Sequence, residues 1–182
     1  MDLDVVVPAL AEVTETAPGL TEAELVAVEE ALGRQLPLDL RALYAAALPV
    51  GPRFPDWRGD PGGEAVRGRA WVEGALTGDL VDGWWSPVLG PRPDDVGEQL
   101  EVVVARLAAE PPLVRVRGHR FATVTGGPVL SVYSARDSVR YGDDLPGWLA
   151  RELGLPVAAQ VDRPAPLPFW DALLELGSTE PE

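Results

Sequence analysis

Cysteine is absent from the 182 residues, which excludes disulfide staples, thiolate nucleophiles and thiolate metal sites together. Lysine is absent as well, so all 15 basic residues are arginine, and neither Schiff-base catalysis nor the phosphate-reading lysine of a P-loop is available. Asparagine and isoleucine are also missing; like lysine they use codons beginning AA or AT, so the joint absence reflects a GC-rich genome rather than selection for arginine chemistry. Positive charge is scarce. Fifteen arginines stand against 29 carboxylates, and the net charge of -14 opposes nucleic acid and anionic membranes as direct partners, because that affinity comes from basic residues displacing counterions. Long apolar runs are missing too. The apolar run Val5 to Val7 stops at Pro8, and the opening Met1-Asp2-Leu3-Asp4 is acidic where a signal peptide is basic, so neither export nor a membrane span is expected and the location is read as cytoplasmic.

A chain of this length buries roughly 70% of its unfolded surface and needs no metal or disulfide. Thr21-Glu22-Ala23-Glu24 is a capping box, behind which Leu25, Val28 and Leu32 share one helical face until Gly33 ends it. A second helix is expected from Pro37, with Leu40, Leu43, Tyr44 and Ala47 as its apolar stripe and Pro49-Val50-Gly51 as its stop. The pair should form a helical hairpin. From Gly51 to Gly90 prolines and glycines interrupt every pattern, and only Arg67 to Leu76 reads as helical. A further helix is capped at Asp94 or Asp95, with Val96, Leu100, Val103 and Leu107 as its expected buried stripe.

The period then falls to two. Val114 and Val116 alternate with Arg115 and Arg117, Arg120 to Val124 leads through Gly126-Gly127 to Val129 to Tyr133, and Val139 with Tyr141 marks one more strand. Two closing helices are expected at Leu145 to Leu153 and Phe169 to Leu176. Helices gathered mostly before a run of short strands give an α+β class, an antiparallel sheet with flanking helices in one domain spanning residues 1–182.

Chemistry-bearing residues are few. His119 is the only histidine, so a hydrolase would have to build on it with nearby carboxylates; the simpler expectation is that its ring hydrogen-bonds the backbone at a strand junction. The pairs Asp94-Asp95 and Asp143-Asp144 each precede an apolar periodic segment, where helix capping explains them without a metal. Ser131 and Ser134 lack a nucleophile elbow, and Gly59-Asp60-Pro61-Gly62-Gly63 follows no strand and lacks phosphate-loop spacing, which makes it a mobile loop. No catalytic, metal or cofactor site is expected. Of the six tryptophans, Trp148 and Trp170 fall within helical patterns and are assigned to the core. Asp56, Trp57, Asp79, Asp82, Trp84 and Trp85 lie in irregular segments, and form the candidate partner-binding set of carboxylates with aromatic anchors.

Several segments together resemble the cell-wall assembly regulator family, the SMI/KNR type of the SUKH superfamily. At the front, Glu29-Glu30-Ala31-Leu32-Gly33 followed by Leu36-Pro37-Leu38-Asp39-Leu40 is similar to its Leu-Gly and Leu-Pro signature, and Phe54-Pro55-Asp56-Trp57-Arg58 resembles a motif of the bacterial branch. Pro112-Leu113-Val114, Gly118-His119-Arg120-Phe121, Gly127-Pro128-Val129-Leu130-Ser131-Val132-Tyr133 and Tyr141-Gly142-Asp143-Asp144-Leu145 follow the family's order and spacing, and Phe169-Trp170 resembles its closing segment. The chain departs from the pattern at Gly127, where the family usually has asparagine, and at Ala135-Arg136-Asp137-Ser138-Val139, where it has a Thr-Asp-Ile-Ile-like run. The resemblance implies an α+β fold without established catalytic residues. Bacterial members are taken to be immunity proteins that neutralise toxins, often nucleases, and fungal relatives to be regulatory interaction proteins. The resulting expectation is a non-catalytic protein-binding module that neutralises a basic toxin domain, with a regulatory adaptor as the alternative.

Overall fold

The structure, a computed structural model, describes residues 1–160 and 164–177, the side chains of 175–177 excepted. Its centre is a four-stranded antiparallel meander in the order β3 (Val114–Arg117), β4 (Arg120–Ala122), β5 (Val129–Val132) and β6 (Ser138–Gly142). Both faces are covered, which is why all four residues of β5 are buried. Val114, Val116, Ala122 and Val129 enter one core, while Phe121, Leu130 and Val132 enter a second, as the alternation of side chains along a strand requires.

The first core receives α1 (Leu3–Val13), α2 (Glu22–Leu32), α3 (Leu38–Ala46) and α6 (Leu145–Leu153) through Val6, Leu10, Leu25, Val28, Leu40, Leu43, Trp148 and Leu149. Thr21 and Glu24 form the capping box in both directions, and Gly33 ends α2 at φ 67°, in the left-handed region that favours glycine. Arg41 of α3 reaches back to Glu22 at 2.5 Å and Glu29 at 3.2 Å, closing the expected hairpin. The second helix ends earlier than expected, at Ala46, because Ala47–Pro49 (β2) pairs antiparallel with Thr16–Pro18 (β1). Helix α1, which the sequence did not announce, continues through Pro8, held by Val6 and Leu10, which are fully buried.

The second core is closed by α4 (Pro61–Gly78), α5 (Val96–Ala108) and α7 (Pro168–Gly177), with Val72, Leu76, Val103, Phe169, Trp170 and Leu173 against the sheet. The glycine-rich segment read as a mobile loop is the start of α4. Asp60 caps it by accepting from Gly63 N at 2.9 Å, and Pro61 stands in its first turn. Trp148 and Trp170 are core residues, as expected. No helix among the described residues is long and apolar enough to cross a membrane.

Candidate functional site

Of the six residues singled out in the sequence, the three tryptophans divide between the two cores and the three aspartates lie outside them. Trp57 is 1% exposed within the first core, with its indole beside the Tyr44 hydroxyl; the segment carrying it folds over apolar side chains, so it offers nothing to a partner and that assignment is corrected. Asp56 is exposed, and its Oδ1 accepts from Gly59 N at 2.9 Å to shape the turn. Trp84 and Trp85 are half-buried against the second core, Trp85 donating from Nε1 to the Gly90 carbonyl at 2.9 Å. Asp79 accepts from Arg136 N at 3.2 Å, and the Asp82 carbonyl accepts from the Arg136 guanidinium at 3.3 Å. Asp79 and Asp82 thus tie the loop after α4 to the loop after β5.

His119 does not use its ring as expected. Its carbonyl accepts from Val132 N at 2.9 Å, while the ring stacks on Trp71 (centroids 6.4 Å apart, 12° between planes) and meets Tyr133 edge-on at 5.4 Å. Burial, helped by the Arg120 charge, holds its pKa below the usual histidine range. No hydrogen bond joins the ring to a carboxylate among the described residues. Asp95 and Asp144 are helix caps, accepting from Glu98 N at 3.1 Å and Gly147 N at 2.7 Å. No group of three metal-ligating side chains forms among the described residues.

The structure brings together a different surface. Between α4 and α5 runs a groove of about 510 Å3, walled by Ala65, Gly68 and Val72 on one side and Val104, Leu107 and Ala108 on the other, with Trp170 also lining it. Pro111, Pro112 and Leu113 line the groove as well, and so do Arg69 and Glu73. Small residues explain the depression. Gly68 has no side chain, and a Cβ there would lie 3.7 Å from Arg115 and 3.9 Å from Phe121, so this part of α4 sits close to the sheet.

Helix α5 follows only half of the expected stripe: Val103 is buried and Leu107 packs against the second core, but Val96 and Leu100 face outward. Gln99 and Val103 are its buried residues, and Gln99 Nε2 donates to the Pro93 carbonyl at 2.7 Å. Val96, Leu100 and Val104 remain 47%, 45% and 37% exposed. Spaced four apart, they form one ridge that runs into the groove at Val104. Asp94, Asp95, Glu98 and Glu101 are exposed around it. The Val102-Val103-Val104 run was the available sequence signal, because three consecutive residues on a helix point in three directions and one buried face cannot take them all.

No protein-family model, no curated protein and no solved structure matches this chain.

Proposed function

We propose that this chain is a non-catalytic module that works by binding another protein, and that it acts as an immunity-type protein, neutralising a toxin domain by covering it. The observation that carries this reading is the uncovered apolar ridge of α5 with its surround of carboxylates. Isolated exposed apolar residues are ordinary on a protein surface; a contiguous ridge that opens into an apolar groove and is rimmed by charge is the pattern of an interaction site. The net charge of -14 and the resemblance of residues 112–145 to the SUKH pattern support the same reading.

The mechanism is occlusion. A nuclease domain meets its phosphates with basic side chains, so an acidic protein competes for the same surface. Carboxylates on that protein speed the encounter, and apolar contacts made after docking slow its release. The test is co-expression with a basic nuclease-type toxin domain from the source genome, sought first beside this chain's gene. Restored growth and a one-to-one complex by size-exclusion chromatography are expected. Failure to form the complex, or rescue through turnover of a small substrate by this chain, overturns the reading; a stable complex with a regulatory protein and no toxin makes the chain an adaptor.

A further inference from the structure

We propose that the groove between α4 and α5, extended by the outward ridge of α5, receives a basic amphipathic helix of the protein partner. This deepens the protein-binding reading and rests on it. Four observations on the surface carry the proposal.

The apolar strip is continuous along the helix axis. Val96, Leu100 and Val104 advance along α5, and the strip continues into the groove through Leu107 and Ala108. Helix α5 has 13 residues, or about 20 Å at 1.5 Å per residue, which matches several turns of a partner laid beside it.

The two facing walls are helices, and Pro111, Pro112 and Leu113 close one end. Backbone groups within α4 and α5 are bonded along each helix, so these walls offer side-chain ridges and no open ladder for a β-strand. An α-helix with its side chains is about 10–12 Å across, so a groove of 510 Å3 holds roughly one turn of it. The remaining turns lie on the ridge.

The rim is acidic. Glu73 lines the groove, and Asp94, Asp95, Glu98 and Glu101 are exposed on and just before α5. Arg69 also lines the groove, but Arg106 is engaged by Glu110 at 2.7 Å and by the Phe169 ring at 4.8 Å. The surplus is negative, so the flanks of the occupant are positive.

A second copy of this chain fits poorly. It would bring the same carboxylates and the same net charge of -14 against the strip, and like charges facing one another oppose association.

The probe is a fluorescent synthetic helix of about 18 residues, five turns, with leucine at i, i+3, i+4 and i+7 and arginine elsewhere. One control peptide replaces arginine by glutamate, and another scrambles the leucine positions. Fluorescence anisotropy should detect binding of the first peptide only. Leu100→Asp and Val104→Asp should each weaken it by about tenfold or more, and Glu101→Arg should weaken it while flattening its salt dependence. Thermal melts identify variants that have lost the fold, and Glu101→Arg, an exposed substitution, keeps the test open if an apolar one does. Absence of binding, equal binding of the scrambled peptide, or binding unchanged in Leu100→Asp and Glu101→Arg overturns the proposal. Self-association of the parent chain that Leu100→Asp abolishes overturns it too, by naming a second copy as the occupant. Toxin rescue that survives Leu100→Asp sinks this surface and leaves the immunity reading standing; peptide binding without rescue does the reverse.

Discussion

Glu64 lies on α4 and is 5% exposed. Its Oε1 accepts from Arg67 Nη2 at 2.8 Å, and its Oε2 lies 2.9 Å from Nη2 of Arg115 on β3. Arg67 is half exposed and loses little without its partner, but the Arg115 side chain is only 16% exposed. Glu64→Leu therefore strands a guanidinium beneath α4. Removing one member of a buried pair costs about 3–5 kcal/mol. The lower end applies, because neither Glu64 Oε2 nor Arg115 Nε makes a well-aligned hydrogen bond. A loss of about 3 kcal/mol in a chain of this size lowers Tm by about 6–12 °C. Arg115→Met alone leaves the carboxylate unpaired on that side and should cost a similar amount. The double variant Glu64→Leu/Arg115→Met should recover most of the loss, since an apolar pair of similar volume replaces the ions at little net cost. Urea unfolding followed by far-UV circular dichroism measures all four proteins. If Glu64→Leu costs less than about 1 kcal/mol, or if the double variant loses the sum of the two singles, the pair does not hold α4 to the sheet as argued.

Gly142→Ala should destabilise by about 1–3 kcal/mol, because a Cβ there would lie 2.7 Å from Trp148 N and 2.8 Å from its Cα; Gly74→Ala, in open space on α4, should instead stabilise by about 0.5–1 kcal/mol, and the two urea midpoints moving alike would refute the contrast. Arg58, with Thr21, holds the Glu24 carboxyl at about 2, below its ordinary 4.5, so its contribution is fully present above pH 4.5 and is lost as pH falls towards 2. Glu24→Gln should remove that part of the acid sensitivity, and an unchanged midpoint-versus-pH curve would contradict it. Because the fold favours the neutral His119 ring, stability should fall as pH drops through 6.5 and below, where the unfolded chain takes up the proton first. His119→Phe keeps a ring against Trp71 and should flatten that slope; an identical slope would sink the assignment.

Elements whose signals are local were legible. The capping box at Thr21, the left-handed Gly33, the short strands from Val114 to Gly142 and the helix Leu145–Leu153 follow from neighbours a few residues apart. Elements decided by distant partners were legible in part or not at all: of α4 the sequence showed Arg67 to Leu76 but not the glycine-rich start. Helix α4 carries glycines at 62, 63, 68, 74 and 78, and each interior one disfavours helix. It forms because Asp60 caps it and because Ala65 enters the first core while Val72 and Leu76 enter the second. Strands β1 and β2 have three residues each, too few to show a period. Pro8 reads as a stop by propensity, yet burial of Val6 and Leu10 outweighs one lost backbone hydrogen bond.

The candidate site failed to appear in the sequence for a related reason. Hydrophobicity identifies side chains that favour burial, but the phase of a helix is set by which contacts it can satisfy. In the observed phase Val103 and Leu107 point inward, Arg106 lies over the Phe169 ring at 4.8 Å, and the Gln99 amide donates to the Pro93 carbonyl at 2.7 Å. The same phase leaves three apolar residues of α5 in water. Each such side chain gains about 1.5–3 kcal/mol on complete burial. A partner covering that ridge gains what folding leaves unused, whereas one covering Trp57 would first have to open the core.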